Sequence, residues 1–438
     1  MATQYIRLGF LCLIALLDGM LDSGFGTALR DLQCIYKVTL QQVSLLPPVI
    51  AAGRVIGSLL FLKIRGHFDL YGLTATTMTT ACCLLAVVPV VPSLWMALVV
   101  AGGVGLVTGI AVHAMMVLSG EMSKGHAASI HINSLAIYIG EFIGPLIISF
   151  FLSDNDYHLE HSTISAPMHR SHNDTFVSQN SKDEVCNHFR SNVMYGFFFI
   201  ASLGIIVFAG YLFSVQLLHE DIRINDSHVK KYQTIKAHPY DKFDVIVILI
   251  MLIYTTVCAP MIFVYGQFLP TFGIYCSLYS STRLVTNISL SFYACTIVGQ
   301  LLGVFSSQVV TQTVLINICT TGGMLLSSML IYVSEINTTC LWIGTSVLAI
   351  VCAPVFSAVE TWALGENEHR HILYGISSTA DMVGYSAMSL LTGQLMACAF
   401  VQMLNYIMTA VSLLQLLLIV LLYLTLKRGK QATSGSGS

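Results

Sequence analysis

The sequence predicts an all-α membrane protein whose twelve transmembrane helices form two pseudo-symmetric six-helix bundles. Three observations predict it. Of its 438 residues 55% are hydrophobic and only 10% charged, with a mean hydropathy of +0.77, which is the balance of a chain solvated by lipid rather than water. Apolar runs of about 20 residues, the length needed to cross the hydrocarbon core, recur twelve times. Glycines and acids near the ends of these runs also recur at a nearly constant separation, as an internal repeat requires.

In chain order the spans are expected at 5–28, 42–62, 70–91, 94–119, 126–152, 193–216, 244–270, 285–309, 313–334, 339–364, 371–396 and 399–426. Span 1 follows the single early cation Arg7 and holds Asp18 without a small-residue cleavage site, so it reads as an uncleaved span rather than a signal peptide. Hairpin-short loops join most neighbours. Two connections are long: 153–192, rich in His, Asn and Ser, and 217–243, which carries Arg223, Lys230, Lys231, Lys236 and Lys242. The expected organisation is an N-terminal half over 1–216 including the 153–192 loop, a linker over 217–243, a C-terminal half over 244–430, and a tail over 431–438 whose Ser/Gly end reads as a cloning remnant.

Lys and Arg concentrate in cytoplasmic loops, and this bias sets orientation. With a cytoplasmic N-terminus, thirteen of the twenty cations fall inside, among them Lys63, Arg65, Lys124, the linker cluster and Lys427, and six fall outside. Both termini are therefore expected in the cytoplasm and the 153–192 loop outside, where Asn173 in Asn-Asp-Thr is a glycan acceptor. The plasma membrane is the expected location. Most of the twelve cysteines fall inside apolar runs, where a thiol behaves as a small hydrophobe, whereas Cys34, Cys186, Cys276 and Cys340 lie near span ends or in loops.

The repeat is specific. Gly53 and Gly57 of "GRVIGSLLF" in span 2 return as Gly299 and Gly303 of "GQLLGVF" in span 8; Gly120-Glu121 after span 4 returns as Gly365-Glu366 after span 10; Gly140 of span 5 returns as Gly384 of span 11. Six spans per copy keep the two copies in the same orientation, a parallel rather than an inverted repeat. Small residues permit close helix packing, but packing alone does not explain a common separation.

With these features the chain resembles the major facilitator superfamily of transporters. Within it, "GTALRDLQC", "TLQQVSLL", "AAGRVIGSLL", "YGQFLPTFG" and "LLTGQLM" resemble the sodium-dependent glucose transporter group and related fucose-permease-like carriers. The resemblance implies alternating access, with spans 1, 4, 7 and 10 lining a central cavity and spans 5 and 11 at the seam between halves. Two features depart from it. The loop after span 2 has Lys63 where the superfamily pattern Gly-x-x-x-Asp-Arg-x-Gly has its acid, and span 4 offers His113 rather than a carboxylate.

Six ionisable residues lie within spans: Asp18 and Asp22 in span 1, Arg54 in span 2, Glu141 in span 5, Glu360 in span 10 and Asp381 in span 11. Each costs about 2.5–3.5 kcal/mol at the centre of a lone helix, so each is expected to face a partner or a watery cavity. Arg54 is the expected countercharge for span 1. Asp18 and Asp22 are i and i+4, hence on one helix face, and two adjacent carboxylates with one cation leave one free to bind a coupling ion. Sodium, which prefers oxygen ligands, would find hydroxyls on Ser23 and Thr27; a proton is the alternative. Glu141 and Asp381 read as structural or gating acids.

For the solute, His113, Tyr254, Tyr265, Gln267, Glu360 and Trp362 set aromatic faces beside amide and carboxylate groups, which suits a neutral polyhydroxylated molecule. Three functions stay open: a sodium-driven transporter of a hexose or similar solute; a proton-driven carrier of an organic cation, with the acids as countercharges; and metal handling through His158, His161, His169 and His172 of the long loop. No Walker-type loop or nucleophile–base motif points to an enzyme, no basic patch to nucleic acid, and no metal or organic cofactor is expected. The expected partners are the solute, the coupling cation and the bilayer, with a monomer as the functional unit.

Overall fold

The computed structural model describes residues 2–64, 67–123, 127–152, 191–217, 242–257, 261–275, 282–334, 337–355, 357–359, 370–398 and 401–435. Twelve spans are traced by helices Ala2–Tyr36, Leu46–Ile64, Leu70–Val87, Leu94–Ser123, Ala127–Ser149, Val193–Leu217, Lys242–Val257 with Met261–Tyr275, Thr282–Val309, Gln312–Val333, Thr338–Cys352, Arg370–Cys398 and Met403–Gly435. No strand occurs among the described residues. The residues called for the external loop beyond Leu152 and before Ser191, including Asn173 and the four loop histidines, and residues 218–241 of the linker lie outside the described residues, as do Glu360, Trp362, Gly365 and Glu366.

Among the described residues, eleven of the spans are long and apolar enough to cross a membrane. The remaining one, Arg370–Cys398, has the length, but Ser377, Ser378, Thr379, Asp381 and Gln394 dilute its apolar residues. It packs on spans 2, 4, 7 and 12, which surround its polar face, while Val383, Leu390 and Leu391 face outward. Elsewhere the outward faces are apolar, with Trp95, Val99, Phe150 and Ile318 each more than 60% exposed, as lipid-facing residues are. The protein is thus a multi-pass membrane protein.

Span 1 runs to Tyr36, eight residues past its expected end. The extension is anchored: Ser191 Oγ donates to Asp31 Oδ2 at 2.5 Å, the Tyr36 hydroxyl donates to the carbonyl of Val88, and Cys34 is disulfide-bonded. In span 7 Pro270 sits inside the helix Met261–Tyr275 without ending it, and residues 258–260, with Pro260, lie outside the described residues.

The repeat glycines make equivalent contacts in the two halves. Gly53 of span 2 presses on the backbone of span 4 at Gly102–Leu106, and Gly299 of span 8 presses on span 10 at Ile350. Gly140 of span 5 meets the Leu16 carbonyl of span 1; Gly384 of span 11 meets the Thr256 carbonyl of span 7. A Cβ at any of these would overlap a neighbouring backbone, so glycine is required for the helices to touch. Between the halves, span 2 packs on span 11, span 5 on span 8, and span 1 on the Met261–Tyr275 part of span 7.

Candidate functional site: a buried charge cluster between the halves

Span 1 presents Asp18 and Asp22 one turn apart to span 2, and Arg54 reaches both. Its Nη1 donates to Asp22 Oδ2 at 2.7 Å, and its Nη2 lies 2.5 Å from Asp22 Oδ1 and 3.1 Å from Asp18 Oδ1. The guanidinium fork fits one carboxylate with two parallel bonds, and the second carboxylate takes what remains. The Arg54 Nε donates to Thr108 Oγ1 of span 4 at 3.2 Å, so every face of the guanidinium is engaged. Gln300 occupies the equivalent place in the second half and donates to Ser357 Oγ across spans 8 and 10 at 3.0 Å. Asp22 is the open edge of the cluster: its side chain is 22% exposed, against 6% for Asp18 and 3% for Arg54.

Two further acids face the same centre from opposite halves. Glu141 of span 5 and Asp381 of span 11 are both buried, and both are within electrostatic range of Asp22 and Arg54. Asp381 Oδ1 has no hydrogen-bond partner among the described residues. Tyr293 of span 8 and Tyr385 of span 11 are also in range of Asp22 and Glu141. Four carboxyl groups therefore share one guanidinium. A buried carboxylate without a countercharge is expensive, so the excess must be met by a bound cation or by protons.

Ser23 and Thr27 do not turn their hydroxyls to this centre. Ser23 Oγ donates to the Gly19 carbonyl at 2.9 Å and lies against Gly144 of span 5, and Thr27 Oγ1 donates to the Ser23 carbonyl at 3.5 Å. One and five residues beyond Asp22, they fall about 100° and 140° around the helix from it.

The residues expected to hold solute divide into two groups. Gln267 joins the cluster's border: its Oε1 accepts from the Tyr385 hydroxyl at 3.1 Å and from Ser389 Oγ at 3.2 Å. His113 lies 3.3 Å from Thr379 Oγ1 of span 11, with its ring beside Phe61. Tyr254 and Tyr265, by contrast, turn toward span 12, the first accepting from Gln415 Nε2 at 3.3 Å and the second donating to Asn405 Oδ1 at 3.0 Å. Sequence reasoning passed over Tyr385, Ser389, Tyr293 and Thr108. Asp381, Tyr385 and Ser389 stand at i, i+4 and i+8, a polar stripe on one face of span 11 that the helical period could have revealed. Nothing local marks Thr108 or Tyr293.

Across one end of the bundle the halves are joined. Gln41 Nε2 donates to Gln394 Oε1 at 3.0 Å, Gln394 Nε2 returns to the Gln41 carbonyl at 3.4 Å, and Ser386 Oγ donates to the Pro48 carbonyl at 3.1 Å. These bonds close the end at which span 1 finishes.

No protein-family profile matches the chain, and no curated protein sequence matches it. Among solved structures, it resembles the xylose transporter XylE from E. coli in a partially occluded inward open conformation, with a TM-score of 0.70 over 95% of this chain and 97% of that one, at 12% identity. The chain has the major facilitator fold. In this major facilitator structure the Asp18–Arg54–Asp22 triad belongs to the first half, while Asp381, Tyr385 and Gln267 belong to the second. The charge cluster thus straddles the seam that must open and close if the halves move against each other.

Proposed function

We propose that the protein is a secondary transporter that moves a small polar solute, most simply a hexose or related sugar, by alternating access coupled to a cation gradient. The observation that carries this reading is the buried cluster of four carboxyl groups around Arg54, contributed by both halves. A cation taken by such a cluster interacts differently with the open and the closed arrangement of the halves, and a ligand shifts a two-state equilibrium only through such a difference. Gln267, Tyr385 and Ser389 offer hydrogen bonds to hydroxyl groups beside an aromatic ring, which supports a neutral polyhydroxylated solute. That XylE transports xylose supports the same class. Orientation with both termini in the cytoplasm rests on the Lys/Arg bias of the loops.

Sodium is the first reading of the coupling ion, with Asp22 as its ligand because it is the accessible edge of the triad. A specific observation favours the proton as a second reading: both Asp22 oxygens are on Arg54, and the hydroxyls of Ser23 and Thr27 are bonded to their own helix, which leaves sodium few free oxygens nearby. Uptake of labelled hexoses into proteoliposomes under an imposed sodium or proton gradient separates the two. Asp22→Asn is expected to abolish uphill accumulation and to keep counterflow exchange, because Asp18 still neutralises Arg54 while the driving ion loses its ligand. Normal uphill transport by this variant would remove Asp22 from the coupling mechanism.

A further inference from the structure

On the face of span 1 away from the charge cluster, the first half of span 1 and the last half of span 6 enclose a groove of 530 Å³ walled almost entirely by hydrocarbon, with Gly9, Phe10 and Leu13 on one side and Val207, Gly210 and Tyr211 on the other. It opens to the lipid-facing side, where Leu13 and Ile206 are about half exposed or more. Its two glycines are unlike the others. Among the described glycines only Gly9 and Gly210 have nothing within 4 Å of where a Cβ would stand, so no helix contact requires either of them. Glycine inside a helix lowers its stability, and here its effect is to deepen the groove from both walls.

One rim of the groove is charged. Arg7 lies near the N-terminal end of span 1, where a long cationic side chain of a spanning helix can reach the headgroups. It sits 5.5 Å above the Tyr71 ring, which contacts the Phe10 ring of the groove wall, and no carboxylate lies within 4 Å of it among the described residues. The polar tip of the opposite wall is occupied, since the Tyr211 hydroxyl donates to Asp69 Oδ2 at 3.0 Å. The rim therefore carries Arg7 on one side, unpaired by any carboxylate among the described residues, and the Asp69 carboxylate, held by the Tyr211 hydroxyl, on the other, and the interior offers only apolar surface.

We propose that this groove binds one acyl chain of an anionic phospholipid, with Arg7 meeting its phosphate. Apolar walls accept hydrocarbon without leaving a polar group unsatisfied, and the guanidinium selects an anionic over a zwitterionic headgroup. The groove residues and the two aspartates occupy opposite faces of span 1, so a seated chain supports from behind the helix that holds Asp18 and Asp22.

The test uses the purified full-length protein in a mild detergent, offered phosphatidylglycerol and phosphatidylcholine of identical chains, with retained lipid counted by native mass spectrometry. One phosphatidylglycerol is expected to be retained in preference to phosphatidylcholine, and Arg7→Gln should reduce that preference roughly fivefold, the worth of one cation near an anionic headgroup. Gly210→Leu should remove retention of both lipids while leaving the melting temperature unchanged or higher, because its side chain enters open space. If Gly210→Leu does not fold, Gly9→Leu fills the same groove from the other wall. Equal retention of the two lipids, or retention by the filled variants at the wild-type level, would each overturn the assignment.

Discussion

Without Arg54, Asp18 and Asp22 would face each other one turn apart with no cation among the described neighbours, and both would have to find water or protons inside the bundle. Breaking a buried pair by removing one partner typically costs about 3–5 kcal/mol. Arg54→Gln should therefore lower the melting temperature of the detergent-solubilised protein sharply, while Asp22→Asn, which leaves Asp18 on the guanidinium, should lower it much less. Equal melting temperatures for the two variants would show that the triad is not a stabilising unit. The tyrosines of span 7 allow a second comparison. Tyr265 donates to Asn405 in a dry contact with span 12, so Tyr265→Phe should cost about 1 kcal/mol of stability and leave the apparent KM for solute unchanged. Gln267→Ala removes an acceptor shared by Tyr385 and Ser389 at the edge of the cluster and should raise KM. Uptake kinetics for both variants check the assignment of faces on span 7.

At the scale of the helix, close approach rather than local propensity decides which residues are small. Gly140 and Gly384 are 244 residues apart in the chain, yet each lets its span rest on the carbonyl of a neighbouring helix, span 1 at Leu16 and span 7 at Thr256. Gly140→Val or Gly384→Val should force these helices apart and destabilise the protein by about 1–3 kcal/mol or more, the range for overpacked contacts. Gly9→Ala is the opposite case. With open space around it, the substitution is expected to raise stability by up to about 1 kcal/mol through helix propensity alone. Thermal denaturation of the three variants in one detergent tests the contrast, and equal effects would mean that the contacts of span 5 on span 1 and span 11 on span 7 are not tight.

For the whole molecule, the amide pair Gln41–Gln394 and the bond from Ser386 to the Pro48 carbonyl tie span 2 to span 11 at one end of the seam. Under the proposed alternating access this end must part in each cycle. Gln41→Cys combined with Gln394→Cys should form a cross-link under oxidation that arrests solute uptake, and reduction should restore it. Each single variant should transport with and without oxidant. Transport at the wild-type rate by the fully cross-linked protein would mean that this end does not open. This joined end and the charge cluster share span 11, which carries Asp381 and Tyr385 near its middle and Gln394 toward its end, so under the proposed function one helix would link ion occupancy to closure.

Composition and period alone determined that the chain lives in a bilayer, that it crosses twelve times, and that its halves repeat, because lipid demands long apolar helices and a repeat leaves its glycines in register. The pairing of Arg54 with span 1 was also legible there: two acids four residues apart share a face, and a lone guanidinium at mid-membrane must find them. Only the tertiary structure decided the rest. It showed that Asp22 takes the fork of Arg54 and Asp18 its edge, and that Glu141 and Asp381 meet the same centre from opposite halves. It also showed that Tyr254 and Tyr265 turn to span 12 while Gln267 turns to Tyr385 and Ser389. The physical reason is that an apolar helix surrounded by lipid and by other apolar helices carries almost no local signal for its rotation about its own axis. That angle is set by which neighbouring backbone comes close enough to touch, as at Gly53, Gly140 and Gly384, and it alone determines which polar side chains share the space between the halves.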